Sequence, residues 1–69
     1  MLTEQQAYDN WQTVISASHR VQVDAAKLYQ CLEGGISLPD TIRVEMQEHI
    51  AYLRSVVERM EHALNTLSV

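Results

Sequence analysis

Apolar residues in the first half of the chain recur at alternating steps of four and three. Ala7, Trp11, Val14, Val21, Ala25, Leu28 and Leu32 fall on one line, interrupted only by Ser18. That spacing is one face of an α-helix and has the repeat of a heptad seam, so it predicts a long amphipathic helix. Tyr8, Ile15 and Tyr29 lie beside the line and widen it. Asp9, Thr13, Ser16, Arg20, Lys27 and Gln30 fill the far face. The second half repeats the pattern with Ile42, Met46, Ile50, Leu53, Val56, Val57, Met60, Ala63, Leu64 and Leu67. Arg43, Gln47, Glu48, Arg54, Glu58 and Glu61 lie mostly away from this stripe.

The breakers are pooled between the two patterns. Both glycines and the single proline fall within "GGISLP", residues 34 to 39. Thr3, with Gln6 three positions later, has the form of a capping box at the start of the first helix. Gly34 and Gly35 follow the last periodic residue, where glycine closes a helix in the left-handed conformation. Ser37 and Asp40 form an S-x-x-D start for the second helix, with Pro39 in its first turn. The chain therefore reads as a single domain over residues 1–69: a helix over about 4–33, a bend at 34–37 and a helix over about 38–67. Each helix is roughly 45 Å long at 1.5 Å per residue. A loop this short forces them antiparallel, with the numbers of facing residues totalling about 70. The predicted fold class is all-α, an antiparallel two-helix hairpin.

Two helices touch along a line, and both stripes are broader than such a line needs. A chain of 69 residues is near the lower limit for folding alone. The expectation is a homodimer that closes a four-helix bundle, since one patch on a hairpin of two equal arms can face its own copy. Trp11, Val14, Val21, Leu28, Leu32, Ile42, Met46, Ile50, Leu53, Val57, Met60 and Leu64 are the residues expected in the core or the dimer contact. The apolar tail, Leu64, Leu67 and Val69, either closes the bundle end against Leu2, Ala7 and Trp11 or extends into a partner groove.

Net charge is −4, and the five basic residues, Arg20, Lys27, Arg43, Arg54 and Arg59, are scattered among nine acidic ones. No basic stripe is legible, which argues against nucleic acid as the partner. Cys31 is the single cysteine, so no internal disulfide forms, and a reducing, cytoplasmic setting is expected. The start, "MLTEQQ", lacks a secretory pattern, and no apolar run is long enough to cross a membrane.

Chemistry-bearing residues are few. With facing numbers near 70, Ser18 falls opposite His49, Tyr52 and Leu53. A Ser–His pair suggests a nucleophile, but no orienting acid or oxyanion hole accompanies it. A buried polar layer that fixes the register is the stronger reading. His19, His49 and His62 lack the repeated E-x-x-H pattern of metal-binding bundles, so no metal and no cofactor are expected. Glu45 with His49, and Glu58 with His62, are ordinary helix-surface pairs.

The aromatic residues carry more. Trp, Tyr and Arg supply most of the binding energy at interfaces. Tyr52 with Arg59, seven apart on the second helix, and Tyr29 with Arg43 near the bend are the candidate partner-binding pairs. The functional expectation is a non-catalytic module that dimerises and blocks or modulates another protein, in the manner of inhibitors and adaptors among phage or mobile-element accessory proteins. The alternatives are a small secretion-type chaperone for a helical client and a dimeric RNA-binding regulator. In plan, the chain resembles the plasmid copy-number hairpin that dimerises and binds RNA, a likeness of architecture without shared site residues.

Overall fold

The computed structural model describes residues 2–67. Its two helices are α1, Glu4–Gly34, and α2, Asp40–Leu67. Thr3 is extended and caps α1: its hydroxyl accepts from the Gln6 amide at 3.1 Å, and the Gln6 side-chain carbonyl accepts from the Thr3 amide at 2.9 Å. This reciprocal pair satisfies two of the amides that a helix start leaves free. At the other end Gly35 adopts φ 64°. Its amide donates to Leu32, and the Ile36 amide donates to Cys31 at 2.8 Å. That pairing is a Schellman closure, which a Cβ at Gly35 would strain.

The second helix starts two residues later than its sequence pattern predicts. The Arg43 amide donates to the Pro39 carbonyl at 3.0 Å, so the first turn closes on Pro39 and not on Ser37. Proline serves there because its missing N–H has no helical acceptor to lose. Asp40 stands in the first turn, where a carboxylate meets the positive end of the helix dipole.

The two helices pack against each other as an antiparallel hairpin. The register is set by Asp24, which meets His49 across the seam. The numbers of facing residues therefore total about 73, three more than loop geometry alone suggested. Ala17 and Val56, the two most buried residues at 2% and 1% exposure, face each other in the same register.

Burial also fixes which line of each helix is inside. On α1 the inner line is Asn10, Val14, Ala17, Val21, Asp24 and Cys31, with Thr13 and Ser18 part-covered on either flank; on α2 it is Ile42, Met46, His49, Leu53, Val56 and Ala63, with Ser55 part-covered beside it. The seam of α1 thus shares Val14 and Val21 with the predicted line but replaces Trp11, Ser18, Ala25 and Leu32 by Asn10, Ala17, Asp24 and Cys31. At 100° per residue the contact is rotated by roughly 50° from the apolar stripe. Small Ala17 lets the helices approach, and Asp24 has a partner, so this less apolar line is the one that closes.

The molecule is a rod of 50 × 17 × 15 Å with a radius of gyration of 15.7 Å, against about 11 Å for a compact chain of this length. Leu64 and Leu67 are 60% and 64% exposed, so they do not seal the open end. Val69, expected to join them, lies outside the described residues.

Candidate functional site

Rotation of the seam leaves the hairpin with two unlike sides. In an antiparallel pair, positions displaced in the same angular sense from the seam lie on the same side. The grooves bear this out: Gln6, Asp9 and Asn10 of α1 line one groove together with Arg59, His62 and Thr66 of α2.

One side is apolar. It carries Tyr8, Trp11, Ile15, Ala25, Tyr29 and Leu32 from α1 and Ile50, Val57 and Leu64 from α2, all exposed. Trp11 is 56% exposed and touches Tyr8 edge to face, with ring centroids 5.7 Å apart. Leu28 and Met60 lean from the seam toward this side and are also partly open. The bulk concentrates near the open end, around Trp11, while Ser18, Gln22 and Ala25 make the middle shallower.

The opposite side is polar and charged, with Arg20, Lys27 and Arg59 set among Asp9, Glu45 and Glu48. Thr13, Arg20 and Lys27 run along the margin of α1, and Glu45, Tyr52, Arg59 and Thr66 along the margin of α2. In the register of the seam, Tyr52 stands level with Arg20, and Glu45 level with Lys27. Tyr52 is 43% exposed. Arg20 and Lys27 were expected on a face turned away from α2; the rotated seam brings them beside it.

The two candidate pairs therefore separate. Tyr29, 67% exposed, and Arg43 share a level and a side, the apolar one near the bend. Tyr52 and Arg59 lie on the polar side. Of the residues expected in the core or dimer contact, Val14, Val21, Ile42, Met46 and Leu53 are covered within the hairpin. Trp11, Leu28, Leu32, Ile50, Val57, Met60 and Leu64 are left exposed.

Between the sides, the seam holds one polar layer. His49 Nδ1 and Asp24 Oδ2 are 2.6 Å apart, with both side chains mostly covered. The pairing expected between Ser18 and His49 does not form. Ser18 accepts from the Gln22 amide group one turn along its own helix at 3.3 Å, and the register puts Ser55, not His49, across from it. The polar layer sits at Asp24 because an exposed-looking aspartate, invisible to an apolar pattern, falls on the inner line. An acid holding an imidazole is half of a hydrolytic triad, but the hydroxyl that the sequence offered as nucleophile is engaged elsewhere.

Among the described residues, no group of three His, Cys, Asp or Glu side chains is arranged to hold a metal, and no helix is long and apolar enough to cross a membrane. Cys31 is half-buried beneath the bend, where it lines two shallow grooves together with Ile36 and Leu38. Comparisons of the chain with protein-family models, curated proteins and solved structures return no match.

Proposed function

We propose that this protein is a binding module: two copies pair through their Trp11 sides into a four-helix bundle, and the bundle acts by holding and modulating another protein. The observation that carries the reading is the exposed apolar face that spans both helices. A compact chain of 7.9 kDa exposes about 4,400 Å² by the scaling of monomeric proteins. This hairpin exposes 5679 Å², an excess of roughly 1,300 Å², where a standard interface covers roughly 800 Å² per partner. A second copy supplies a surface of the same length and chemistry, and a two-fold axis makes the face its own complement. Contiguous apolar surface exposed along both helices is the kind that marks interaction sites on soluble proteins.

Trp11 is the single tryptophan of the chain and reports the pairing directly. Its emission is blue-shifted in the bundle and moves to the red on dilution, as exposed indole returns to water. Emission that is red and independent of concentration contradicts the pairing. The modulating role is tested by affinity capture from a host extract with the wild-type protein and with a Tyr52→Ala/Arg59→Ala variant. A protein retained by the first and lost by the second identifies the target. Equal retention by both rejects Tyr52 and Arg59 as the binding pair.

A further inference from the structure

We propose that the two copies lie head to tail: the two-fold axis runs across the rod, α1 lies along the partner's α1, and Trp11 of each copy packs over Ala25 of the partner subunit. The inference deepens the pairing in the binding-module reading and rests on it. A two-fold axis that sets this face on its own copy runs either along the rod or across it. Along the rod, both bends fall at one end of the bundle. Across it, they fall at opposite ends.

Two features of the face select the axis across the rod. The first is where its bulk sits. On α1 the exposed Tyr8, Trp11 and Ile15 crowd the open end, and Ser18, Gln22 and Ala25 follow as a shallow stretch. In the register set by Asp24 and His49, Val57 and Met60 of α2 stand level with the crowded end, and Ile50 with the shallow stretch. An axis along the rod sets equal levels against each other. Bulk then meets bulk at the open end, and the two shallow stretches face each other across a gap, which forfeits contacts that packed interiors make. With the axis across the rod, α1, Glu4–Gly34, runs antiparallel to its copy. Overlap over nearly the whole length gives facing numbers that total roughly 36 to 38. Trp11 then falls on Ala25 of the partner subunit, Ile15 falls beside Gln22 of the partner subunit, and Ser18 lies next to the axis. The large side chains of each copy fill the hollow of the other.

The second feature is where the charge sits. The outer line of α1 on this side is Tyr8, Ile15, Gln22 and Tyr29, all uncharged; the matching line of α2 is Gln47, Arg54 and Glu61. An axis along the rod places α1 beside the partner's α2, so the oily line meets the charged one. An axis across the rod sets the oily line against itself at the centre of the interface. It leaves the charges of α2 at the solvated rim, where polar residues are tolerated.

The distance between the two bends is the test. A nitroxide is attached at Ser37, an exposed bend residue, in the full chain carrying Ser37→Cys and Cys31→Ser. The distance is read by double electron–electron resonance at a concentration where sedimentation gives the paired mass. The rod is 50 Å long, so head-to-tail copies hold their bends about 50 Å apart. A separation under about 25 Å, two helix diameters, at the paired mass overturns the arrangement and keeps the pairing. A single-chain mass at every concentration, with no dipolar coupling, overturns both. A size exchange reads the contact independently. Ala25→Trp overfills the hollow and weakens self-association at least roughly tenfold. Trp11→Ala/Ala25→Trp moves the bulk to the other side of the same contact and returns the dissociation constant to within about threefold of the wild-type value. Helicity stays at the wild-type level in both variants, since both positions are exposed. A double variant that associates as weakly as Ala25→Trp, with helicity retained, overturns the packing of Trp11 on Ala25.

Discussion

The Trp11 side and the Tyr52 side are built from the same two helices, yet they ask for different things. The first exposes Trp11, Ile15, Leu32, Ile50, Val57 and Leu64, side chains that gain from leaving water and have no preferred direction of contact. The second exposes Tyr52 among Arg20, Lys27, Arg59, Asp9, Glu45 and Glu48, groups that gain little from leaving water without matched polar partners. What separates them is the angle at which α1 meets α2. Had the helices closed on the most apolar line of α1, Trp11 would lie inside, and Arg20 and Lys27 would face water on the back of the rod. Closing instead on Asn10, Ala17, Asp24 and Cys31 leaves one oily margin and one charged margin. The hairpin contact is thus fixed by fit and by one polar pair, and the more hydrophobic surface remains for a second molecule.

The largest effect expected from breaking this contrast is on the apolar side. Trp11→Glu/Val57→Glu puts charge on both helices of the face and raises the dissociation constant for self-association by at least roughly 1,000-fold, measured by sedimentation velocity. Inside the hairpin, Val56→Ala opens space against Ala17 and costs about 2 kcal/mol of stability, read from urea unfolding. The polar layer behaves differently from its apolar neighbours. His49→Leu alone leaves Asp24 covered without a partner and costs about 1–3 kcal/mol, whereas Asp24→Leu/His49→Leu regains most of that loss. A double variant as unstable as the single one rejects the pair as the reason Asp24 is tolerated inside. At the bend, Gly35→Ala forces a left-handed alanine and lowers stability by about 1 kcal/mol. Gly34→Ala has a smaller effect, since its Cβ meets only the flexible end of Ile36 at 3.3 Å. The smallest effect falls on the polar side: Arg20→Glu/Arg59→Glu shifts stability by less than about 0.5 kcal/mol, read from a thermal melt.

Much of this was legible in the residues. The pooled breakers place the bend, "TEQQ" caps the first helix, and the double glycine closes it, because capping and chain reversal are local and depend on a few side chains. The rotation of α1 was not legible. Apolar periodicity finds the most hydrophobic line, and on α1 that line is Trp11, Ala25 and Leu32, which the fold leaves outside. The inner line includes Asn10 and Asp24, and Asp24 is suited to it only by its pairing with His49 across the seam. The same rotation hid the charged margin. Arg20 and Lys27 sit on α1 and Arg59 on α2, and they come to one side only once the seam is known. In α2 the inner and outer apolar lines adjoin, so Ile42 through Leu67 read as one broad stripe that already contained both surfaces.

The central claim is that the Trp11 side is covered by a second copy. Sedimentation equilibrium of the full chain at neutral pH over a range of loading concentrations tests it most directly. The expected mass is twice the 7.9 kDa of the chain, falling to the single-chain value in Trp11→Glu/Val57→Glu. A wild-type chain that sediments at the single-chain mass at every concentration, with its helices intact, contradicts it.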